Sequence, residues 1–260
     1  MSNLTVIFSE MSNVRENYMT FHVYVGYDAI NHLAYRVLEA SILDQTKETI
    51  IIHPLRDWQV RMEGYYWREY KMLKTGQKWD ILDERPHSTE FSYTRFLTPL
   101  IHRAKNRTGP ALFMDADMMV RGDLAELFYL SDHNYEVQVV QHDYNPVEST
   151  KIVAVEQQLY DRKNWSSMML FANSYAIQYT EADVNRMNRD WLHQLRWANK
   201  IGDIDKRWNW LEGWHDKDLD PLNVHFTRGT PDLPNWGKVD FAKEYWRWAK
   251  LAGWRGHNSL

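Results

Sequence analysis

The stretch ALFMDADMMVRGDLAELF, residues 111–128, limits the possible folds of the chain more than any other feature. Its first four residues are all apolar, which is typical of a short strand buried on both faces of a sheet. That strand leads directly into Asp115 and Asp117. Ligands of open α/β sheets gather at the carboxyl ends of strands, and neighbouring carboxylates there are costly unless a cation offsets their charge. The stretch therefore predicts an α/β fold with a cation site, although Asp-x-Asp is also common in solvated turns.

The rest of the sequence alternates between strand-like and helix-like patterns. Runs of β-branched and aromatic residues predict strands, and apolar residues three and four apart predict helices. A helix with apolar positions from residue 30 to 38 separates the first two strands, so we expect the chain to open β-α-β. The predicted strands are residues 21–27, 49–53, 111–114, 135–141, 167–172 and 222–226.

Two longer helical patterns follow. An apolar stripe over residues 93–104 predicts a helix, with a kink or break at Pro99. Thr180 and Asp183 resemble a capping box, which predicts a helix from there to Leu195.

The remaining segments complete one predicted domain over residues 1–260. Residues 1–20 form an N-terminal extension, and residues 55–87 are expected to be an irregular surface excursion with one short helix. Asp123 is expected to cap a helix, and Asp240 to cap a helix within the C-terminal segment 240–260. We find no repeat and no clear linker.

Composition excludes several functions. The net charge of −4 gives no support for a duplex DNA binder that neutralises phosphates. The chain has no cysteine, which excludes disulfides, thiolate metal sites and cysteine nucleophiles. A metal must therefore be bound by oxygen and imidazole ligands. We expect a cytoplasmic protein, because no signal peptide and no apolar run of the ~18 residues that span a bilayer is visible.

A second candidate site lies far from Asp115 in the sequence, at VHFTRG, residues 224–229. His225 follows a predicted strand, and Gly229 allows a ligand to approach the backbone closely. Imidazole together with carboxylates suits Mn²⁺ better than Mg²⁺. A lone histidine is more often structural, so His225 gains weight only together with the Asp-x-Asp motif.

Four strings in this order resemble glycosyltransferase family 8: YTRFLTPL (93–100), LFMDADMMVRGDLAELF (112–128), NWSSMMLFAN (164–173) and VHFTRG (224–229). The chain is most similar to bacterial and phage members with NWSSM and RWNWL-like strings. The resemblance covers roughly residues 21–236. It implies a GT-A fold, which is a Rossmann-like mixed central sheet flanked by helices. It also implies a UDP-sugar donor, Mn²⁺ (or Mg²⁺) and retention of anomeric configuration.

The resemblance also implies roles for individual residues. Asp115, Asp117 and His225 would bind the metal, Arg95 would order the site beside Asp115, and Gly229 would approach the diphosphate.

Other residues are candidates for the nucleotide and the sugar. Tyr27 is placed to stack on the base and Asp28 to bind the ribose or base, unless Asp28 only caps the next helix. In the family, the region that corresponds to Asn164 and Ser166 touches the donor sugar or lines the active site. Hydrogen bonding at the entry to the next strand is the alternative for these two residues.

The chain departs from the family pattern at two places. The family's Asp-Gln pair near the anomeric carbon is missing from 197–200, and Asp203 or Asp205 is the candidate substitute. The family's late lysine is also missing, and Arg228 or Lys238 is the candidate for the diphosphate.

The sequence thus predicts a metal-dependent glycosyltransferase that transfers glucose or galactose from a UDP-sugar to an unidentified acceptor. The acceptor classes are a glycan, a lipid-linked sugar, a protein or modified DNA. One alternative is a catalytically silent module that binds a nucleotide sugar or carbohydrate, and another is a nucleotidyltransferase. The basic, aromatic C-terminus allows a peripheral membrane contact, whereas a helix packed on the domain is the plainer interpretation.

Overall fold

A computed structural model describes residues 20–143 and 162–255 of the chain. The predicted N-terminal extension therefore lies outside the described residues, apart from Thr20. The chain opens β-α-β as predicted, with β1 (Thr20–Gly26), α1 (His32–Gln45) and β2 (Thr49–Leu55). Strands β1 and β2 pair in parallel.

The central sheet has six strands and is mixed. Besides β1 and β2 it contains β6 (Ala111–Met114), β8 (Val137–Val139), β9 (Met168–Phe171) and β10 (Ile201–Asp203). The strand order is β10-β8-β9-β6-β1-β2, and β9 runs antiparallel to both of its neighbours. All four residues of β6 are buried, as expected of an apolar strand in the middle of a sheet.

A second sheet of three strands adjoins the first where the chain leaves β6. It consists of β7 (Met118–Val120), β11 (Trp210–Leu211) and β12 (Asn223–His225), in the order β11-β12-β7. Strand β12 pairs antiparallel with β7. The Asp-x-Asp segment therefore links the two sheets.

The excursion over residues 55–87 is more regular than predicted. It contains α2 (Asp57–Met62) and a small antiparallel sheet of β3 (Tyr70–Met72), β4 (Lys78–Asp80) and β5 (Arg85–Pro86). Strands of two or three residues are too short to show the alternating pattern that identifies a strand in the sequence.

Two short helices flank β6 and β7 along the chain. A 3-10 turn (Thr94–Leu97) precedes α3 (Thr98–Ala104), and Pro99 lies in the first turn of that helix, where proline is tolerated. Asp123 caps α4 (Leu124–Tyr129) as predicted.

The predicted helix from Thr180 to Leu195 is two helices. Thr180 and Asp183 form the expected capping box of α5 (Glu181–Arg186). The chain then turns, and Asn188 caps α6 (Arg189–His193) by accepting a hydrogen bond from the backbone N–H of Trp191. The single-helix prediction was wrong because Asn188 starts a new helix.

The C-terminal helix α7 (Ala242–Leu251) packs against α1 and buries Tyr245, Trp248 and Ala249. The prediction that Asp240 caps this helix was wrong. Phe241 occupies the cap position in a left-handed conformation, and the Asp240 carboxylate pairs with Lys217. No helix within the described ranges is both long enough and apolar enough to span a membrane.

Candidate active site

Asp115 and Asp117 lie at the junction of the two sheets. The backbone N–H of Asp115 donates to the carbonyl of Ser167, just before β9, over 2.9 Å. The carbonyl of Asp117 accepts from the backbone N–H of Phe226, just after β12, over 2.9 Å. Each aspartate is thus fixed to a strand end of a different sheet.

His225 completes a group of three possible metal ligands with the two aspartates. It lies at the end of β12, opposite Met118 of β7. The candidate ligand atoms of Asp115, Asp117 and His225 all lie within 4.8 Å of one another. The Nε2 atom of His225 is 3.3 Å from Oδ1 of Asp117. Two carboxylates and one imidazole fit Mn²⁺, and the partly exposed Asp117 leaves the group accessible.

Arg95 lies against this group from the 3-10 turn before α3. Its Nη1 atom is 3.0 Å from Oδ1 of Asp115 and donates to the carbonyl of Ser166 over 2.9 Å. The guanidinium is buried against the rings of Phe91 and Phe113, 5.3 and 5.2 Å from their centres. Arg95 therefore holds the Asp115 carboxylate in place and offsets part of the negative charge.

The end of β1 carries the two residues assigned to the nucleotide. Tyr27 lies under the Arg56 guanidinium, which is 4.8 Å from its ring centre, and the Tyr27 hydroxyl is 3.1 Å from Nδ1 of His32. Asp28 accepts hydrogen bonds from the backbone N–H groups of Ile30 and Glu90. The capping role weighed for Asp28 is therefore present, here at a short 3-10 turn.

Asn164 precedes a 3-10 turn (Trp165–Ser167) that enters β9, and Ser166 lies within that turn. Asn164 has a left-handed backbone with φ of 62°. The Ser166 hydroxyl is 2.9 Å from Nδ1 of the buried His193, while its carbonyl accepts from Arg95. These contacts bring the predicted NWSS segment next to Asp115.

The other predicted site residues lie in different surroundings. Asp203 ends the edge strand β10, and its carboxylate accepts from the backbone N–H of Gln141 over 3.3 Å. Arg228 donates to the buried carboxylate of Glu212 over 2.9 Å, and its guanidinium covers the Trp236 ring. Gly229, with φ of 151°, is the last residue of a turn in which its N–H donates to the carbonyl of Phe226.

Sequence reasoning missed several polar residues around the metal group. Asn209 is fully buried and contacts Nδ1 of His225, yet it appeared in the sequence only as part of the RWNWL string. His142 lies beside His215, with ring centres 5.4 Å apart. Burial is the main cause that lowers the pKa of His142 to about 3, and the nearby His215 and His225 contribute less. Single residues so far apart in the chain form no local pattern that could reveal the cluster.

A curated plant protein is similar to most of this chain. The chain is 37% identical over 231 residues to protein CDI of Arabidopsis thaliana, a match that covers 85% of this chain and 83% of that protein. No model of a known protein family matches the chain.

Solved glycosyltransferase structures share the fold at low sequence identity. The bifunctional glycosyltransferase WbbM in its apo form has a TM-score of 0.54, with 14% identity and 90% of this chain covered. The glycosyltransferase GlyE of Streptococcus pneumoniae TIGR4 has a TM-score of 0.52, with 10% identity and 89% covered. The chain spans 50% of WbbM and 61% of GlyE.

The galactosyltransferase LgtC, in complex with donor and acceptor sugar analogs, is matched over nearly its whole length. Its TM-score is 0.51 and its identity 12%, and the match covers 89% of this chain and 96% of LgtC. These likenesses confirm the predicted GT-A fold.

Proposed function

This chain belongs to the same family as protein CDI of Arabidopsis thaliana and has the GT-A fold, and on that premise we propose that it is a metal-dependent glycosyltransferase. It transfers a hexose, glucose or galactose, from a UDP-sugar to an acceptor with retention of configuration. The observation that carries the proposal is the group of Asp115, Asp117 and His225 at the carboxyl end of β6, where ligands of such sheets bind. The lack of cysteine agrees with a cytoplasmic enzyme.

The charge of the site suits a nucleotide diphosphate. Breaking the bond between the anomeric carbon and the diphosphate leaves negative charge on the departing oxygen. When bound, a divalent cation supplies Lewis-acid stabilisation of that charge. Arg95 is buried beside Asp115. Its fixed positive charge, in a site of low dielectric constant, also stabilises the negative charge on the departing diphosphate.

Residues around the metal group have proposed roles in holding the donor. Tyr27, backed by Arg56, offers a ring face to the base, and Asp28 lies beside it for the ribose. Gly229 and Arg228 follow His225 and are assigned to the diphosphate. Binding there requires Arg228 to turn from Glu212, with which it pairs in this structure.

Asn164 and Ser166 are proposed to contact the donor sugar, and a carboxylate is proposed to act at the anomeric carbon. Asn164 precedes the turn beside Asp115, and Ser166 lies within that turn. Asp203, at the end of β10, is the carboxylate proposed to stabilise the oxocarbenium-like carbon. Asp205, which caps a 3-10 turn by accepting from the N–H of Arg207, is the alternative.

The first test is thermal stabilisation by a panel of nucleotide sugars, with Mn²⁺ and with EDTA. A ligand that binds the folded protein alone raises its melting temperature. We expect one UDP-hexose to stabilise the chain in Mn²⁺ and to lose that effect in EDTA. If no nucleotide or nucleotide sugar changes the melting temperature under either condition, the proposed donor site is excluded.

Turnover is then measured with the donor that stabilises the chain. Release of UDP, by hydrolysis or by transfer to added acceptors, would agree with an enzyme. Metal-dependent binding with neither hydrolysis nor transfer would favour the silent binding module. A preference for nucleoside triphosphates with release of pyrophosphate would favour a nucleotidyltransferase.

A further inference from the structure

We propose that Asn209, anchored by Ser167, is a positioning residue that fixes His225 in the tautomer and orientation that present Nε2 to a divalent cation. This inference rests on the metal site of the proposed function. It concerns a residue that does not itself bind the cation and acts through His225.

The fold brings Asn209 and His225 together through neighbouring strands. Asn209 is the last residue of a 3-10 turn (Lys206–Asn209) that leads directly into β11. Strand β11 pairs in parallel with β12, with Leu211 opposite His225. Asn209 is 0% exposed and His225 is 3% exposed, so water does not compete for the contact between their side chains.

The donor and the acceptor of each hydrogen bond around Asn209 can be assigned from the Ser167 hydroxyl. The Ser167 hydroxyl donates to the carbonyl of Asn164 over 2.6 Å. Its oxygen is therefore available to accept from the amide nitrogen of Asn209, which lies 2.8 Å away. The amide oxygen of Asn209 then faces Nδ1 of His225 at 2.9 Å.

That direction fixes the tautomer of His225. An amide oxygen can only accept a hydrogen bond, so Nδ1 of His225 must carry the hydrogen. The other ring nitrogen, Nε2, is left facing the Asp117 carboxylate at 3.3 Å. A neutral imidazole with hydrogen on Nδ1 has its lone pair on Nε2, which is the form that binds a metal.

The same contacts fix the orientation of the imidazole ring. Removing the Asn209 amide would leave Nδ1 of His225 in a buried environment without this acceptor. The ring could then rotate or take the other tautomer, and after either change the Nε2 lone pair no longer faces the cation site. Partners that orient metal ligands in this way commonly change metal affinity by about 10–100-fold when mutated.

The test measures Mn²⁺ binding to the full chain by calorimetry, without nucleotide. We expect Asn209→Leu to weaken Mn²⁺ binding by about 10–100-fold. Asn209→Asp keeps an acceptor toward Nδ1 and should restore most of the affinity. The matched control is Asn185→Leu, which removes a buried asparagine that bonds the backbone of Tyr65, Trp67 and Glu181. It should lower stability and leave Mn²⁺ affinity unchanged.

A spectroscopic measurement keeps the inference testable if Asn209→Leu does not fold. The ¹⁵N shifts of the His225 ring at pH 8, assigned through His225→Gln, should show hydrogen on Nδ1 in the wild-type chain. Ser167→Ala should move these shifts towards a mixture of tautomers.

The outcomes separate this inference from the proposed function. Hydrogen on Nε2 in the neutral wild-type ring, or equal Mn²⁺ affinity of the wild type and a folded Asn209→Leu, would overturn the role of Asn209 alone. No Mn²⁺ binding to the wild-type chain, with or without a UDP-sugar, would overturn the metal site itself.

Discussion

At the scale of single residues, the two aspartates of the Asp-x-Asp motif have different surroundings. Asp115 is 14% exposed in its side chain and lies against Arg95, whereas Asp117 is 34% exposed and faces His225. The Asp115 carboxylate thus already has a cationic partner within the protein. Asp117 depends more on a bound cation to offset its charge.

We therefore predict that Asp117→Asn abolishes Mn²⁺-dependent binding of the donor while the fold is retained. The amide has nearly the same shape but lacks the charge that attracts the cation. A Mn²⁺ titration followed by melting temperature checks this, with circular dichroism as the control for folding. His225→Ala should weaken Mn²⁺ binding less, because both carboxylates remain. Unchanged Mn²⁺ affinity of Asp117→Asn would exclude the metal site.

The sequence could predict that the candidate metal ligands lie together, because the Asp-x-Asp motif and the VHFTRG string are both part of the resemblance. An apolar strand before Asp115 and Asp117 indicates their place in the fold, and the late VHFTRG string indicates His225. Asn209 had no such signal. Its role comes from the pairing of β11 with β12, which the local sequence does not show.

At the scale of elements, three histidines join β1, β2 and α3. Nδ1 of His22 is 2.9 Å from Nε2 of His53, and His102 contacts the His22 ring edge-on. Burial is the main cause that lowers the pKa of His22, and the nearby positive charge of Arg107 is the second. The same two causes lower the pKa of His53 to about 4. Burial and the nearby His22 lower the pKa of His102 to about 4. The cluster is therefore neutral near neutral pH.

This cluster predicts a loss of stability in mild acid. The folded state takes up protons at about pH 4, whereas the unfolded imidazoles take them up near pH 6.5. Their contribution to stability is thus complete above pH 6.5 and decreases as the pH falls towards 4. Urea unfolding between pH 7 and pH 4.5 measures this slope. His53→Gln should flatten it, and the exposed His133→Gln should not; equal slopes for wild type and His53→Gln would refute the prediction.

The small sheet of β3, β4 and β5 is held to the domain by Arg68. Its guanidinium bonds Asp80 and Asp83 inside the protein and also donates to the carbonyl of Met187 before α6. The sequence did not predict this sheet. Its buried charges are separated along the chain and meet only after folding.

We predict that Arg68→Met lowers the free energy of unfolding by about 3–5 kcal/mol, because it leaves two carboxylates buried without their guanidinium. Urea denaturation measures the loss. Lys105→Met, which removes a lysine from a more exposed pair with Glu63, is the control and should cost less than about 1 kcal/mol. A similar small cost for both variants would show that Arg68 is not the main attachment.

At the scale of the whole molecule, α1 serves two hydrophobic cores. Leu38 packs in the large core under the six-stranded sheet, and Val37 packs in a smaller core with Trp210 and Trp248. Several tryptophans fill these cores, Trp197 and Trp208 in the large core and Trp210 and Trp248 in the smaller one.

The C-terminal helix is attached to the rest of the chain by side-chain hydrogen bonds as well as by packing. The Tyr245 hydroxyl donates to Asp232 over 2.6 Å, and burial raises the pKa of Tyr245. Tyr245→Phe should lower the free energy of unfolding by about 1.5–3 kcal/mol, since the acceptor is a charged group. Chemical denaturation checks this against Tyr129→Phe, an exposed tyrosine bonded to Glu48, which should change little. Equal effects would contradict it.

The candidate ligands are divided between the two sheets, and this division has a kinetic consequence. Asp115 directly follows a strand of the six-stranded sheet, whereas Asp117 precedes one strand of the three-stranded sheet and His225 ends another. A cation bound by all three is a reversible cross-link between the sheets, so they cannot separate without breaking a coordination bond. The less often this junction opens, the longer the cation should therefore stay bound. Slow hydrogen exchange at the N–H groups of Asp115 and Phe226 would report a closed junction.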